Sequence, residues 1–257
     1  MNEEKSSFMD QLFTEPVYSD SPQTEALFLK ALQEELIFHY EHNDMYRQFC
    51  NRKGFDPHAE LNDIKQIPPV AVSVFKNLGY GLASVPKEDI KLRLQSSATS
   101  GTPSTVVVDK ITSKRQAKAM VKVMQEFIGK DRKPFLVMDI DPRSEFRSLL
   151  GARFAAITGY LNFASKSGFF LKAKNGVSYF DIDAIKEYLT TIPSDQPVVV
   201  FGFTYIMYSN VLKAILAKGE KIQLPKGSKI IHIGGWKKLE AEKVEKSLFN
   251  QQLADGF

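Results

Sequence analysis

The sequence predicts an α/β fold with a largely parallel sheet, and three observations support this prediction. The apolar segments PFLVMDI (134–140), PVVVFGF (197–203) and KIIHIGG (229–235) have the length and apolar content of buried strands. Segments with helical spacing, including 182–192 and 204–218, alternate with them. A chain of 257 residues can bury a large core in one or two domains without disulfides or a metal ion.

The first 89 residues are predicted to be mainly helical. Ser21 and Pro22 form a helix start, because proline is favoured at the first helical position. Apolar residues at helical spacing then continue to near Gly54. We therefore divide the chain into a helical region, residues 1–89, and an α/β region, residues 90–257.

Strands and helices alternate through the α/β region. IKLRLQSS (90–97) alternates apolar and polar residues as a half-buried strand does, and TVVVD (105–109) is a second strand. Residues 144–164 are predicted to be a helix, and GFFLKAKNGVSYFD (168–181) a hairpin with an Asn-Gly turn. In folds of this kind, ligand sites lie beyond the carboxyl ends of the parallel strands.

Composition argues against several classes of function. The 34 Lys and Arg residues are interspersed with 30 Asp and Glu residues, so the net charge of +4 does not indicate a nucleic-acid partner. No apolar run approaches the roughly 20 residues that a membrane span needs, and the acidic N-terminus lacks a signal-peptide pattern, so a cytoplasmic location is predicted. The single cysteine, Cys50, excludes an internal disulfide, and no convincing ligand cluster predicts a metal site.

The segment QSSATSGTPST (95–105) is rich in hydroxyl side chains. Short hydroxyls and backbone N–H groups near a glycine are donors that suit phosphate oxygens. The segment is not a Walker-type loop, because the lysine is missing and a strand follows it. A polar hairpin connection requires the same residue types, so composition alone leaves a phosphate loop and a simple connection both open.

In its order of residues, this segment resembles the phosphate loop of the adenylate-forming, acyl-activating superfamily. The positions that match are Ser96, Ser97, Thr99, Ser100, Gly101 and Pro103. Ala98 and Ser104 depart from the pattern, since they replace a glycine and a lysine. Four further segments are similar to acyl-protein synthetases, the ATP-dependent ligases of the bacterial bioluminescence fatty-acid reductase system and their relatives: IPPVAVSVFK, SVPKEDI, FGFTYIMY and HIGGWKK.

This resemblance implies the N-terminal portion of the adenylate-forming enzyme fold, with a β-hairpin that carries the phosphate loop. It also implies ATP, with Mg, as a substrate that activates a fatty acid to an acyl-adenylate, followed by transfer to a protein thiol. No tightly bound cofactor is expected. A Tyr-Gly-x-Thr-Glu segment and a C-terminal catalytic lid domain are not found in this sequence, so we expect this chain not to complete acyl activation alone. The alternatives are part of a phenylacetate-type acyl-CoA ligase and a non-catalytic interaction partner.

The resemblance also implies site residues, although it assigns no catalytic residue. The ATP phosphates would be held by Ser96, Ser97, Thr99, Ser100, Gly101 and Thr102. The adenine would lie against Gly234, Gly235 and Trp236, and an acyl pocket would begin at Phe201, Phe203, Tyr205 and Tyr208. A strand-to-helix turn also explains the glycines, and ordinary core packing also explains the aromatic residues.

The remaining candidate side chains are one histidine, the single cysteine and two aspartates, and structural roles explain most of them. His232 is expected to form a structural hydrogen bond, and Cys50 to be buried and inert rather than an acyl acceptor. Asp139 and Asp141 close a buried strand and could face the site, although helix capping also explains Asp141.

Overall fold

The computed structural model describes four parts of the chain, residues 7–95, 103–146, 153–174 and 177–257. The described residues form two compact units, which divide between Phe127 and Ile128. The division predicted from the sequence, into a helical region 1–89 and an α/β region 90–257, stays a prediction. Among the described helices, none combines the length and the apolar character that crossing a membrane requires.

The first unit contains helices followed by a two-stranded hairpin. The bounds are α1 Phe8–Leu12, α2 Pro22–His42, α3 Asp44–Lys53, α4 Val74–Asn77, β1 Ile90–Gln95, β2 Thr105–Asp109 and α5 Lys110–Ile128. The predicted helix start is confirmed, because Pro22 is the first residue of α2. The Ser21 side chain accepts a hydrogen bond from the backbone N–H of Thr24 and so caps the helix.

The helical stretch predicted to continue to near Gly54 is interrupted at Asn43. The Asn43 backbone is extended, and its Oδ1 accepts a hydrogen bond from the backbone N–H of Tyr46, which caps α3. Its Nδ2 donates to the carbonyl oxygens of Gly81 and Ala83 at 3.1 and 3.0 Å. The helical spacing of apolar residues continues across the interruption, so the sequence pattern does not reveal it.

The two strands predicted on either side of the hydroxyl-rich segment are present. β1 and β2 pair antiparallel, with Ile90 opposite Asp109 and Gln95 opposite Thr105. Residues 96–102 lie outside the described residues. The phosphate-binding role of Ser96, Ser97, Thr99, Ser100, Gly101 and Thr102 therefore stays a prediction.

The second unit alternates strands and helices. The bounds are β3 Lys133–Val137, α6 Arg153–Tyr160, β4 Ala164–Phe169, β5 Leu171–Lys174, β6 Val177–Phe180, α7 Ile182–Thr190, β7 Val199–Phe203, α8 Thr204–Ile206, a π-helical turn Met207–Leu212, α9 Lys213–Lys218, β8 Lys229–Ile233 and α10 Lys246–Gly256. The helix predicted over 204–218 is confirmed, with the π-helical turn inside it. The predicted hairpin turn at Asn175 and Gly176 lies outside the described residues.

A four-stranded parallel sheet forms the core of the second unit, with the strand order β4-β3-β7-β8. The central strands β3 and β7 are fully buried at Phe135, Leu136, Val137, Val199 and Val200. This burial explains their continuous apolar sequences. The parallel pairing of the strands confirms the predicted α/β fold with a parallel sheet. Because the strands are parallel, the carboxyl ends of β3, β7 and β8 lie on the same side of the sheet. We call this side the carboxyl edge.

The segment 168–174, predicted as one strand of a hairpin, belongs to two strands. Phe169 ends β4, which pairs with β3, whereas Leu171 starts β5, which pairs antiparallel with β6. Phe169, Phe170 and Leu171 are all buried, so the alternation of a single half-buried strand is absent where the chain changes sheet. β4 is an edge strand with the sequence ASKSGF, and its polar residues hide it from a search for apolar strands.

The helix predicted over 144–164 is confirmed only in its later part, α6. Residues 147–152 lie outside the described residues, and the chain enters β4 at Ala164. Arg153 in α6 places its basic side chain at the carboxyl edge.

Candidate functional site

Polar residues gather at the carboxyl edge of the sheet in the second unit. Asp139 follows β3 closely, Thr204 and Tyr205 follow β7, and Gly234 follows β8. Arg153, the first residue of α6, reaches the same place with its side chain. The described part of this edge therefore holds an acid, a base, two hydroxyls and a glycine turn, as expected for a site in this class of fold.

Arg153 and Asp139 form a two-point ion pair. The guanidinium donates from Nε to Oδ2 of Asp139 at 2.7 Å and from Nη2 to Oδ1 at 3.1 Å. Its Nη1 donates to Oη of Tyr205 at 2.7 Å. The Asp139 side chain is completely buried, and its Oδ1 also accepts the backbone N–H of Ile140 at 2.8 Å. These extra hydrogen bonds help to offset the desolvation cost of burying the pair.

The same contacts shift the protonation equilibria of the cluster. Burial acts to lower the pKa of Arg153, but the hydrogen bonds and charge of Asp139 outweigh it, so the pKa lies above its usual value. Burial raises the pKa of Tyr205 above its usual value, although the charge of Arg153 opposes this shift. At neutral pH the guanidinium is therefore charged and the phenol protonated, so this cluster can orient polar groups by hydrogen bonding.

Thr204 connects the ends of two strands. Its Oγ1 lies 2.8 Å from the carbonyl oxygen of Gly234, 3.2 Å from that of Ile233 and 3.0 Å from Nδ1 of His232. Its side chain is buried, and the register of β7 and β8 pairs Phe203 with Ile233. The hydroxyl therefore links the chain that leaves β7 to the turn that leaves β8.

The two glycines of this turn differ in what they require. Gly234 has a φ of 80°, in the left-handed region that favours glycine. Among the described residues beyond its chain neighbours, a Cβ on Gly234 would meet Phe203 Cδ1 alone, at the ordinary contact distance of 3.7 Å, so the backbone conformation explains this glycine. Within the described part of the chain, and not counting its chain neighbours, a Cβ on Gly235 would meet no heavy atom within 4 Å, so these residues leave space beside its backbone. The assignment of adenine to these residues stays a prediction.

Trp236 belongs to an aromatic cluster. Its ring packs edge-on against Tyr208 at 4.9 Å and against Phe249 at 5.6 Å between centroids, and it is largely buried. His232 also contacts Phe249 edge-on. Burial and the charge of Lys246 lower the pKa of His232, and its ring forms the hydrogen bond expected from the sequence, with Thr204. The role of Trp236 beside the nucleotide stays a prediction.

The residues assigned to the acyl pocket occupy different environments. Phe201 is fully buried and stacks on Tyr160 at 4.3 Å between ring centroids. Phe203 is also buried, with its ring centroid 5.9 Å from the guanidinium carbon of Arg153. Tyr205 directs its hydroxyl to the same guanidinium. Phe203 and Tyr205 thus lie together at the carboxyl edge, whereas Phe201 packs in the core, and the acyl pocket itself stays a prediction.

Arg153 and Thr204 were not identified as site residues from the sequence. A hydroxyl directly after the buried strand PVVVFGF is a signal that could have indicated Thr204. Arg153 offers no such signal, because its partners come from distant segments that only the sheet brings together. Asp139 was recognised as a residue that could face the site. Its carboxylate lies at the carboxyl edge, and its part in a ligand site stays a prediction.

Asp141, the second aspartate after β3, pairs with Arg143. Its carboxylate accepts hydrogen bonds from the backbone N–H of Arg143 at 2.8 Å and from Nε and Nη2 at 3.0 and 2.9 Å. The hydrogen bond from the Arg143 side chain is the main cause that lowers the pKa of Asp141. Within the four described parts of the chain, no group of three or more His, Cys, Asp or Glu side chains is arranged to hold a metal ion.

Cys50 should react slowly with a thiol reagent. It is a free cysteine in α3 with no exposed surface, which confirms the predicted burial, and burial raises the pKa of its thiol. We expect dithionitrobenzoate to label the folded chain at pH 7.5 at least about tenfold more slowly than the chain unfolded in guanidinium. Equal rates in the two states would contradict the inert role.

Comparison with known proteins gives a family. A model of the family described as "Acyl-protein synthetase, LuxE" matches residues 3–257. The long-chain-fatty-acid–luciferin-component ligase of Vibrio harveyi is 26% identical over 228 residues, which cover 86% of this chain and 56% of that protein. The corresponding ligase of Aliivibrio fischeri is 26% identical over 235 residues, covering 89% and 58%. The chain thus spans little more than half the length of these curated relatives.

Solved structures with a similar fold include 2-hydroxyisobutyryl-CoA ligase. Its open conformation, in complex with 2-HIB-AMP and CoA, has a TM-score of 0.58 at 14% identity and covers 90% of this chain and 48% of that one. Its postadenylation state, in complex with 2-HIB-AMP, has a TM-score of 0.56 at 14% identity, covering 86% and 47%. At this identity the likeness shows the fold alone. Because the family model matches nearly every residue, the chain belongs to the acyl-protein synthetase family.

Proposed function

We propose that this chain binds ATP and a fatty acid as part of a ligase that activates the acid to an acyl-adenylate. The observation that carries this proposal is the match of the acyl-protein synthetase family model to residues 3–257. The names of the Vibrio and Aliivibrio relatives support a long-chain fatty acid as the acid. A ligase of the same fold in complex with an adenylate supports nucleotide binding. We place the reaction in the cytoplasm, where ATP is available.

In the proposed reaction, a carboxylate oxygen of the acid attacks the α-phosphorus of ATP, and pyrophosphate leaves with its electron pair. ATP enters with Mg as a substrate. The contribution of this chain is to position the reactants and to stabilise charge. We assign contacts with the phosphates to the segment 96–102 and contacts with the adenine to Gly234 and Gly235.

The cluster of Arg153, Asp139 and Tyr205 has a supporting role in this proposal. The two-point ion pair largely balances the charge of Arg153, so the guanidinium does not act as an isolated cation. It holds the Tyr205 hydroxyl at 2.7 Å instead. We propose that Tyr205 contributes a polar contact to the head of the acid, while Phe203 supplies apolar surface. Tyr205 was assigned to the apolar pocket wall, and its hydrogen bond supports this more polar role.

We propose a protein thiol as the acyl acceptor. A thiolate would attack the acyl carbon of the adenylate, and AMP would leave, which yields a thioester. Cys50 is a poor candidate for this acceptor because it is buried and its thiol has a raised pKa. Product analysis with and without coenzyme A separates this proposal from an acyl-CoA ligase, since only the latter would release acyl-CoA.

Binding of a stable adenylate analogue tests the proposed function. The ligands are fatty acyl sulfamoyl-adenosines with a series of chain lengths, and calorimetry and Trp236 fluorescence measure binding. We expect saturable one-site binding of long-chain analogues, competition by ATP, and weak or no binding of the guanosine counterpart. No saturable binding of any adenosine analogue would contradict the proposal.

A further inference from the structure

We propose that Thr204 is a positioning residue that fixes the Gly234–Gly235 turn and the tautomer of His232. Its Oγ1 lies within hydrogen-bond distance of the Gly234 carbonyl oxygen, at 2.8 Å, and of His232 Nδ1, at 3.0 Å. These three residues come from the ends of two neighbouring strands and are held by one buried hydroxyl. We call this group the Thr204 latch. Its effect on nucleotide affinity rests on the proposed function.

Counting hydrogens determines the direction of each bond in the latch. A threonine hydroxyl has one hydrogen, and the carbonyl oxygens of Gly234 and Ile233 can only accept it. The hydroxyl therefore donates to these carbonyls, with Gly234 the nearer, and its oxygen is left to accept from His232. Nδ1 of His232 must then carry a hydrogen. Because burial and Lys246 lower the pKa of His232, the ring is neutral at pH 7 and its Nε2 carries no hydrogen.

The latch matters because it acts on a pair of glycines. The carbonyl of Gly234 and the N–H of Gly235 belong to the same planar peptide group, so holding the oxygen also sets the direction of this N–H. Glycines lack the Cβ that restricts other residues, and Gly234 already has a φ of 80°. Loss of the hydroxyl would remove the hydrogen bond that the Gly234 carbonyl accepts from Thr204. We therefore infer that Thr204 preorganises the backbone to which adenine binding is assigned.

Two substitutions and one matched control test the latch. Thr204→Val keeps the shape of the side chain but removes the hydroxyl, and Thr204→Ser retains the hydroxyl. The control is Thr190→Val, since the Thr190 hydroxyl donates to the Glu187 carbonyl at 2.7 Å in an exposed part of α7. Thermal unfolding of each variant shows that it is folded before further measurement.

The first measurement is the tautomer of His232, observed by ¹⁵N NMR of the histidine side chains. The sequence contains four histidines, and His232→Gln assigns the resonance of interest. We expect an Nδ1–H ring in the unmodified chain, in Thr204→Ser and in Thr190→Val, and a shift towards Nε2–H in Thr204→Val. An Nε2–H ring in the unmodified chain would overturn the latch, and this result does not depend on the folding of any Thr204 variant. An unchanged tautomer in Thr204→Val would overturn it as well.

The second measurement is the affinity for a fatty acyl sulfamoyl-adenosine. Thr204→Val loses one hydrogen bond that orders the turn, so its affinity for the analogue should be about tenfold lower than that of the unmodified chain. Thr204→Ser should bind within about threefold of the unmodified chain, and Thr190→Val should bind equally well. If Thr204→Val changes the tautomer but not the affinity, the positioning role is wrong. If the unmodified chain does not bind the analogue, the proposed function fails, and the NMR measurement still decides whether the latch exists.

Discussion

Replacing Asp139 by alanine should lower the free energy of unfolding by about 3–5 kcal/mol. Asp139 is completely buried, and its partner Arg153 retains only 16% of its side-chain exposure. Without the carboxylate, the guanidinium would lose its two-point ion pair in a largely buried position. Urea denaturation of the chain and the variant measures this difference.

Two further variants show whether the ion pair is the cause. Asp183→Ala removes an exposed partner of Lys218, at 3.5 Å and with 84% of the Asp183 side chain exposed, so we expect a change below about 1 kcal/mol. The double variant Asp139→Leu, Arg153→Met removes both charges and should recover much of the loss. Equal effects of Asp139→Ala and Asp183→Ala would contradict the role of the buried pair.

Replacing Gly235 by leucine should abolish most nucleotide binding while leaving the fold intact. A side chain at this position would enter space that the described residues leave empty, since none of their heavy atoms beyond the chain neighbours lies within 4 Å of an added Cβ. We expect the free energy of unfolding to change by less than about 1 kcal/mol. If the adenine occupies that space, affinity for the fatty acyl sulfamoyl-adenosine should fall more than about tenfold.

Gly219→Leu is the matched control for this experiment. Gly219 also has open space around an added Cβ, but its φ of 63° makes any side chain there strained. Gly219→Leu should therefore lower the free energy of unfolding by about 1–2 kcal/mol and leave the affinity for the analogue unchanged. Gly235→Leu should therefore weaken binding and keep stability, whereas Gly219→Leu should lower stability and keep binding. Unchanged affinity in Gly235→Leu would remove Gly235 from the nucleotide site.

Local sequence signals predicted much of the second unit. The strands β3, β7 and β8 were recognisable because parallel strands buried on both faces are continuous apolar runs. β4 was missed because it lies at the edge of the sheet, where its polar residues are partly exposed. Asn43 interrupts a helical pattern by capping α3, and its side chain also donates to carbonyls far along the chain. The spacing of apolar residues contains neither contact.

The site was predictable only where its residues follow strands directly. Gly234 and Gly235 stood out at the end of an apolar strand, and the fold brings them to the expected edge. The contacts among Arg153, Asp139 and Tyr205 could not be predicted, because they depend on the strand order and on the position of α6. The Thr204 hydroxyl forms hydrogen bonds with one ring nitrogen and two carbonyl oxygens on β8 and the turn after it. Only the register of β7 and β8 brings these atoms together.

The most direct test of a ligand site at the carboxyl edge is a crystal structure of this chain with a long-chain fatty acyl sulfamoyl-adenosine. We predict that the adenine lies against the backbone of Gly234 and Gly235, and that the head of the acyl group lies near Phe203 and Tyr205. The peptide group held by Thr204 should keep its orientation. An analogue bound away from these residues would contradict a ligand site at the carboxyl edge.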